Sequence, residues 1–125
     1  MAFQVKHRVR EDDKKPTRYY SSKQEQYVAK TFGGTQVKNS GATMFQKGDV
    51  VLDDWLIECK TKTTSSESIS IKKEWLEKNN REALFMGKSY SALAFNFGQN
   101  SSNYYIIDEE LFMYLVNSLK ENKME

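Results

Sequence analysis

Three charged residues near the middle of the chain, Asp49, Glu58 and Lys60, have the types and spacing of a site that handles a metal ion. Two apolar runs lie between the two acids and flank the dipeptide Asp53-Asp54. We predict a β-hairpin that turns at this dipeptide. Directly opposed residues of such strands have Cβ atoms about 4.5–5.5 Å apart. This register places Asp49 opposite Glu58, with Lys60 on the same face as Glu58.

Two opposed carboxylates repel each other, so a fold accommodates them best with a positive charge between them. Mg²⁺ is the expected cation, because it binds one or two carboxylates together with substrate phosphate and water. Lys60 would then orient a water molecule or neutralise charge on a phosphate. The alternative is a surface ion cluster at a strand end. A register slip of one residue would place Asp49 and Glu58 on opposite faces and exclude the site.

The elements before this segment are a short helix and a short strand. The pair Ser22 and Glu25 fits a capping box, and Gly33 marks a helix stop, so we predict a helix over residues 22–32. A strand over 35–38 follows. Glu25 therefore has two possible roles, as a cap that bonds backbone N–H groups or as a ligand of the site.

Further helices and strands follow this segment. We predict a polar loop over 61–67, a short extended piece over 68–71, a helix over 72–86, strands over 91–97 and 104–107, and a last helix capped by Asp108. The predicted buried faces of the two helices are Trp75, Leu76, Asn79, Ala83 and Leu84, and then Leu111, Phe112, Leu115, Val116 and Leu119. The order α-β-β-β-α-β-β-α predicts an α/β fold with helices flanking the sheet.

The order of these motifs resembles the PD-(D/E)XK nuclease superfamily, and within it the archaeal- and phage-type Holliday junction resolvases. The resemblance rests on Glu25 in a first helix, then Gly48-Asp49, then Glu58-Cys59-Lys60. The loop 40–42 and the passage 69–76 are similar to family segments as well, so that the likeness covers roughly residues 20–107. Gly48 stands where the family has proline.

The resemblance implies a restriction-endonuclease-like core, a mixed sheet flanked by helices. It implies an Mg²⁺-dependent endonuclease, with Mn²⁺ as a substitute, which resolves four-way DNA junctions by paired nicks and leaves 5′-phosphates. It also implies a homodimer on branched double-stranded DNA. The expected catalytic residues are Glu25, Asp49, Glu58 and Lys60. The expected metal ligands are Asp49, Glu58, Glu25 and the backbone carbonyl of Cys59, whose side chain is expected in the core.

Positive charge is concentrated near the N-terminus. Residues 1–23 carry seven Lys or Arg and three acids, on a chain whose net charge is +2. We predict a basic flexible arm over 1–18 and a single nuclease domain over 19–125. The residues expected to bind DNA phosphates are Arg18, Lys38, Ser40, Lys47, Lys62, Lys72 and Lys73.

Composition excludes several other classes of protein. One Cys and one His among 125 residues are too few for a structural zinc site or an internal disulfide. No run approaches the ~18 apolar residues of a membrane span. We expect a cytoplasmic protein of a prokaryotic cell or a phage-infected host. Two other functions stay open: a related nuclease acting on duplex or flap DNA in restriction or repair, and a non-catalytic DNA-binding protein on a nuclease fold.

Overall fold

The computed structural model is an α/β fold with a five-stranded mixed sheet and three helices in its described residues, which are 17–37, 49–62, 64–98 and 101–124. The elements in chain order are α1 (Thr17–Phe32), β1 (Thr35–Gln36), β2 (Asp49–Leu52), β3 (Trp55–Lys60), α2 (Lys73–Phe85), β4 (Tyr90–Phe95), β5 (Tyr104–Ile106) and α3 (Glu109–Met124). This order confirms the predicted sequence of elements. The segment 68–71, predicted as a short extended piece, forms no strand of the sheet.

The five strands lie side by side in chain order. All neighbouring pairs are antiparallel except β3 and β4, which are parallel. A parallel pair requires a crossover connection, and α2 supplies it. The β2–β3 hairpin has the predicted register, with Leu52 paired with Trp55 and Asp49 paired with Glu58. Asp53, at the turn, has a φ of 42°, a left-handed conformation that Asp adopts more readily than most residues.

Helix α1 covers one face of the sheet. Val28 and Ala29 form a core cluster with side chains from three strands, namely Val50, Ile57, Cys59, Ala92 and Ala94. The helix ends as predicted, since Gly33 has a φ of 72° and the Gly34 N–H donates to the carbonyl of Ala29 at 2.8 Å. This bond closes the helix with a Schellman motif.

The beginning of α1 differs from the prediction. The helix starts at Thr17, so that Ser22 lies inside it and the predicted capping box with Glu25 is wrong. Between Pro16 and Gly33 the sequence contains no glycine or proline, so no helix-breaking residue interrupts this stretch. The helix also includes Thr17 and Arg18, the last two residues of the predicted arm.

Helix α2 covers the opposite face. Its buried residues are Asn79, Glu82 and Ala83, and the Asn79 side-chain amide donates to the carbonyl of Ala92 at 3.0 Å. The predicted stripe is therefore partly wrong, because Leu84 is 77% exposed and Glu82 is 6% exposed. The helix is rotated about its axis so that Glu82 faces inward in place of Leu84. The hydrogen bond of Asn79 to β4 and the burial of Ala83 fix this orientation.

Helix α3 hardly contacts the sheet. Asp108 caps it as predicted, because its Oδ1 accepts the Leu111 N–H at 2.8 Å. Among the residues of α3 whose burial is described, only Leu111 is buried. The predicted buried face is otherwise wrong, because Phe112, Leu115 and Leu119 are exposed. No described part of the molecule covers these side chains.

Candidate active site

The hairpin brings Asp49 and Glu58 together as opposed residues of β2 and β3. Both are buried, with exposures of 0% and 3%. Lys60, two residues after Glu58 on the same face, places its Nζ 3.2 Å from Glu58 Oε2. The three residues singled out from sequence therefore share one face of the sheet, with Lys60 as the counter-charge of Glu58.

Asp49 is the electrostatically strained member of this group. Both of its carboxylate oxygens are buried, and neither accepts a hydrogen bond from a backbone N–H, amide, hydroxyl or ammonium group of the described residues. Burial, and to a smaller extent the negative charges of Glu58, Glu82 and Glu25, together raise the pKa of Asp49 to about 8. A carboxyl group in this state gains most from a proton or a cation, because either one removes the uncompensated buried charge.

Glu82 is a member of the site that the sequence analysis missed. It is one of the buried residues of α2, and its Oε2 accepts no hydrogen bond from an N–H or hydroxyl donor of the described residues. Burial also raises the pKa of Glu82, and the Asp49 carboxyl lies within reach to share one proton with it. The sequence signal that could have identified Glu82 is its position three residues after Asn79, because residues three apart lie on the same face of a helix.

Glu25 approaches from the other side of the sheet, on α1. It is buried, and its Oε1 accepts a hydrogen bond from the Gln36 side chain at 3.4 Å. Its charge contributes to the raised pKa of Asp49, although less than Glu58 and Glu82 do. With the capping box excluded, its burial is consistent with a role beside the site.

Cys59 lies on the sheet face opposite Glu58, and its side chain is in the core as predicted. Burial raises the pKa of its thiol, with a further contribution from Glu25. The role of its backbone carbonyl as a ligand stays a prediction.

A magnesium ion fits the chemistry of this donor set. Among the described residues, no group of three or more His, Cys, Asp or Glu side chains is close enough to hold a metal by itself. Mg²⁺ does not require such a group, since it commonly takes one or two carboxylates and completes its shell with phosphate and water. The two unpartnered oxygens of Asp49 beside Glu58 supply carboxylate ligands of this kind.

The predicted DNA-binding residues fall into three groups by their position in the structure. Lys72 reaches the site, because its Nζ lies 5.9 Å from the centre of the Trp75 ring and the Lys60 Nζ lies 4.4 Å from the same ring. Lys62 is half-buried two residues after Lys60, whereas Lys73 is exposed and pairs with Glu77 at 3.8 Å. Lys38, Ser40, Lys47 and the side chain of Arg18 lie outside the described residues.

Comparisons with protein-family models, with curated proteins and with solved structures find no match to this chain. No helix in the described ranges is long and apolar enough to cross a bilayer. Sequence motif and site geometry are therefore the basis for the functional argument.

Proposed function

We propose that this chain is an Mg²⁺-dependent DNA endonuclease of the PD-(D/E)XK type that cuts four-way junctions. The observation that carries the proposal is the buried Asp49, to whose oxygens the described residues donate no N–H or hydroxyl group, placed opposite Glu58 with Lys60 beside it. A fold that needed only stability would replace such a carboxylate by an apolar or amide side chain. The mixed sheet with helices on both faces supports the restriction-endonuclease-like core that the resemblance implies.

Each residue has a definite task in this proposal. Asp49 and Glu58 would hold Mg²⁺, with Glu25 and Glu82 acting through water molecules of its shell. The bound ion supplies Lewis-acid polarisation of the scissile phosphate and a lower pKa for a water molecule. Lys60 exchanges its contact with Glu58 for a contact with the attacking water or the phosphate. The ammonium of Lys72, over the same Trp75 ring as Lys60, binds a neighbouring phosphate as a point charge.

The first experiment compares cleavage of a labelled four-way junction with cleavage of a linear duplex of the same sequence, with Mg²⁺ and with EDTA. Paired nicks in the junction alone, and only with metal, are expected. Equal cutting of both DNAs would leave the nuclease site standing and remove the junction preference. Binding without any cutting would favour a non-catalytic DNA-binding protein.

The residue assignment is tested with Glu58→Ala, which should abolish cleavage and retain junction binding. Glu67→Ala is the matched control, because Glu67 is an exposed glutamate in the loop before α2. Cleavage by Glu58→Ala at a rate near that of the wild type would show that the assigned site is wrong.

Paired nicks require two active sites, and α3 offers a surface that would join two copies. Phe112, Leu115 and Leu119 lie at helical spacing on one face and are 58%, 37% and 68% exposed. Exposed apolar stripes of this kind are typical of protein–protein contacts.

The α3 assignment is tested by sedimentation of the double variant Phe112→Lys, Leu119→Lys. It should be monomeric and should nick junctions singly. The matched control is Leu84→Lys, a comparably exposed leucine on α2. A wild-type monomer, or a double variant that remains dimeric, would exclude α3 as the interface.

A further inference from the structure

A cavity lies at the carboxyl ends of the parallel strands β3 and β4, where the sequence analysis placed no ligand. Its volume is about 550 Å³, within the ~300–1,000 Å³ typical of small-molecule sites. Its walls come from α1, from the residues that follow β3 and β4, and from the segment 101–105. Ligands of open α/β sheets commonly bind beyond the carboxyl ends of the strands.

The inner wall of the cavity is built from side-chain amides. Gln24 is 5% exposed, and its Nε2 donates to the carbonyl of Lys60 at 2.8 Å and to Asn103 Oδ1 at 3.1 Å. The Asn96 amide donates to the same Asn103 oxygen at 3.0 Å. Gln24 Oε1 is buried, and no described residue donates a hydrogen bond to it. The fixed amide network therefore leaves one buried acceptor that a ligand N–H group would satisfy.

The outer wall of the cavity is aromatic. Tyr27 is 60% exposed, Phe32 is 47% exposed and Tyr105 is 38% exposed. Phe32 and Tyr105 already form an edge-to-face pair with ring centres 5.7 Å apart. Lys23 also lines the cavity, and none of its described lining residues is acidic. Exposed aromatic rings beside amides and a cation form a typical surface for stacking a nucleobase and holding its phosphate.

We propose that this cavity binds the base of an unpaired nucleotide at the branch point of the DNA substrate. The proposal rests on the proposed nuclease function for the identity of the substrate. The cavity and the candidate active site have adjacent residues at two points of the chain, because the lining residue Gln24 precedes Glu25 and the lining residue Thr61 follows Lys60. A base in the cavity would be held by stacking on Tyr27 and by donation of an N–H group to Gln24 Oε1.

The test compares two four-way junctions that differ only at the branch point, one with unpaired thymines and one with abasic residues there. Binding is measured by fluorescence anisotropy in EDTA, so that no cleavage is needed. The wild type should bind the thymine junction at least about fivefold more tightly, which corresponds to the lower end of stacking on one base. Tyr27→Ala should remove this preference and Tyr27→Phe should retain it.

Tyr104→Ala is the matched control and should keep the preference, because Tyr104 is a 53%-exposed tyrosine that does not line the cavity. Equal binding of the two junctions by the wild type would overturn the proposal. A second titration with thymidine 5′-monophosphate separates a DNA base from a free nucleotide. Binding of the mononucleotide without any preference between the junctions would overturn the DNA assignment.

The cavity proposal and the nuclease proposal fail in different ways. A base preference without Mg²⁺-dependent cutting would support the cavity and reject the nuclease. Junction cleavage with equal binding of the two DNAs would reject the cavity alone.

Discussion

Asp49→Asn should stabilise the metal-free protein, and the gain should grow with pH. The pKa of Asp49 is raised from 3.8 to about 8 by burial and neighbouring carboxylates. Between these values the folded protein holds a proton that the unfolded chain has released, so that stability falls as pH rises. The slope is about 1.4 kcal/mol per pH unit. The cost is thus roughly 3 kcal/mol at pH 6 and about 5 kcal/mol at pH 8.

The substitution removes this pH dependence because asparagine does not ionise. Urea unfolding in EDTA at several pH values between 5 and 9 should show the difference in unfolding free energy rising up to about pH 8 and then levelling. Asp54→Asn is the matched control, since Asp54 is an exposed residue of the same hairpin turn. Addition of Mg²⁺ should stabilise the wild type at pH 8 and leave Asp49→Asn nearly unchanged. Parallel stability curves for Asp49→Asn and the wild type would refute the electrostatic reasoning.

Three further predictions concern the residues around the site. Glu82→Gln should lower the pKa of Asp49, because it removes a neighbouring negative charge that raises this pKa. The acidic limb of the Mg²⁺-dependent cleavage profile should therefore shift to lower pH, and an unshifted limb would remove Glu82 from the site. Lys60→Met should destabilise the EDTA-treated protein by about 2 kcal/mol, because it removes the ion pair of the buried Glu58 with the partly exposed Lys60. Urea unfolding measures this loss of stability, and no loss would show that the ion pair contributes nothing. Gly34→Ala should lower the free energy of unfolding by about 2 kcal/mol, because the added Cβ would lie 2.7 Å from the Val51 carbonyl oxygen. An unchanged melting temperature would show that α1 can move away from the hairpin.

The cost of Asp49 links the stability of the protein to its proposed function. A buried carboxylate without a donor weakens the metal-free fold, and a cation at that position reverses the penalty. Such a residue persists where binding depends on it, which is the usual conflict between stability and activity in functional sites.

Helix α3 exposes apolar side chains that its sequence pattern would place in a buried face. Its sequence has an amphipathic pattern, yet among the residues of α3 whose burial is described only Leu111 is buried. The prediction that Phe112, Leu115 and Leu119 are buried is wrong, and the described part of the chain provides nothing that covers them. This is the basis for assigning the exposed stripe to contact with a second copy.

The sequence by itself determined the hairpin and the relation of its charged residues. Two apolar runs flanking a turn at Asp53-Asp54 were sufficient to predict that Asp49 pairs with Glu58, and the alternation of side chains along a strand placed Lys60 on the same face. The order of helices and strands followed from apolar periodicity and from stop signals such as Gly33. These features depend on residues near one another in the chain, so local patterns specify them.

Only the tertiary structure decided which side chains each element buries. Glu82 entered the site because contacts with β4 set the rotation of α2, and the pKa of Asp49 rose because α2 and the sheet exclude water from it. The amide-lined cavity formed because α1 meets the ends of β3 and β4, which brings Gln24 to Asn103 across 79 positions of the chain. Burial and solvation depend on what covers a residue in space, and periodicity in sequence contains no such information.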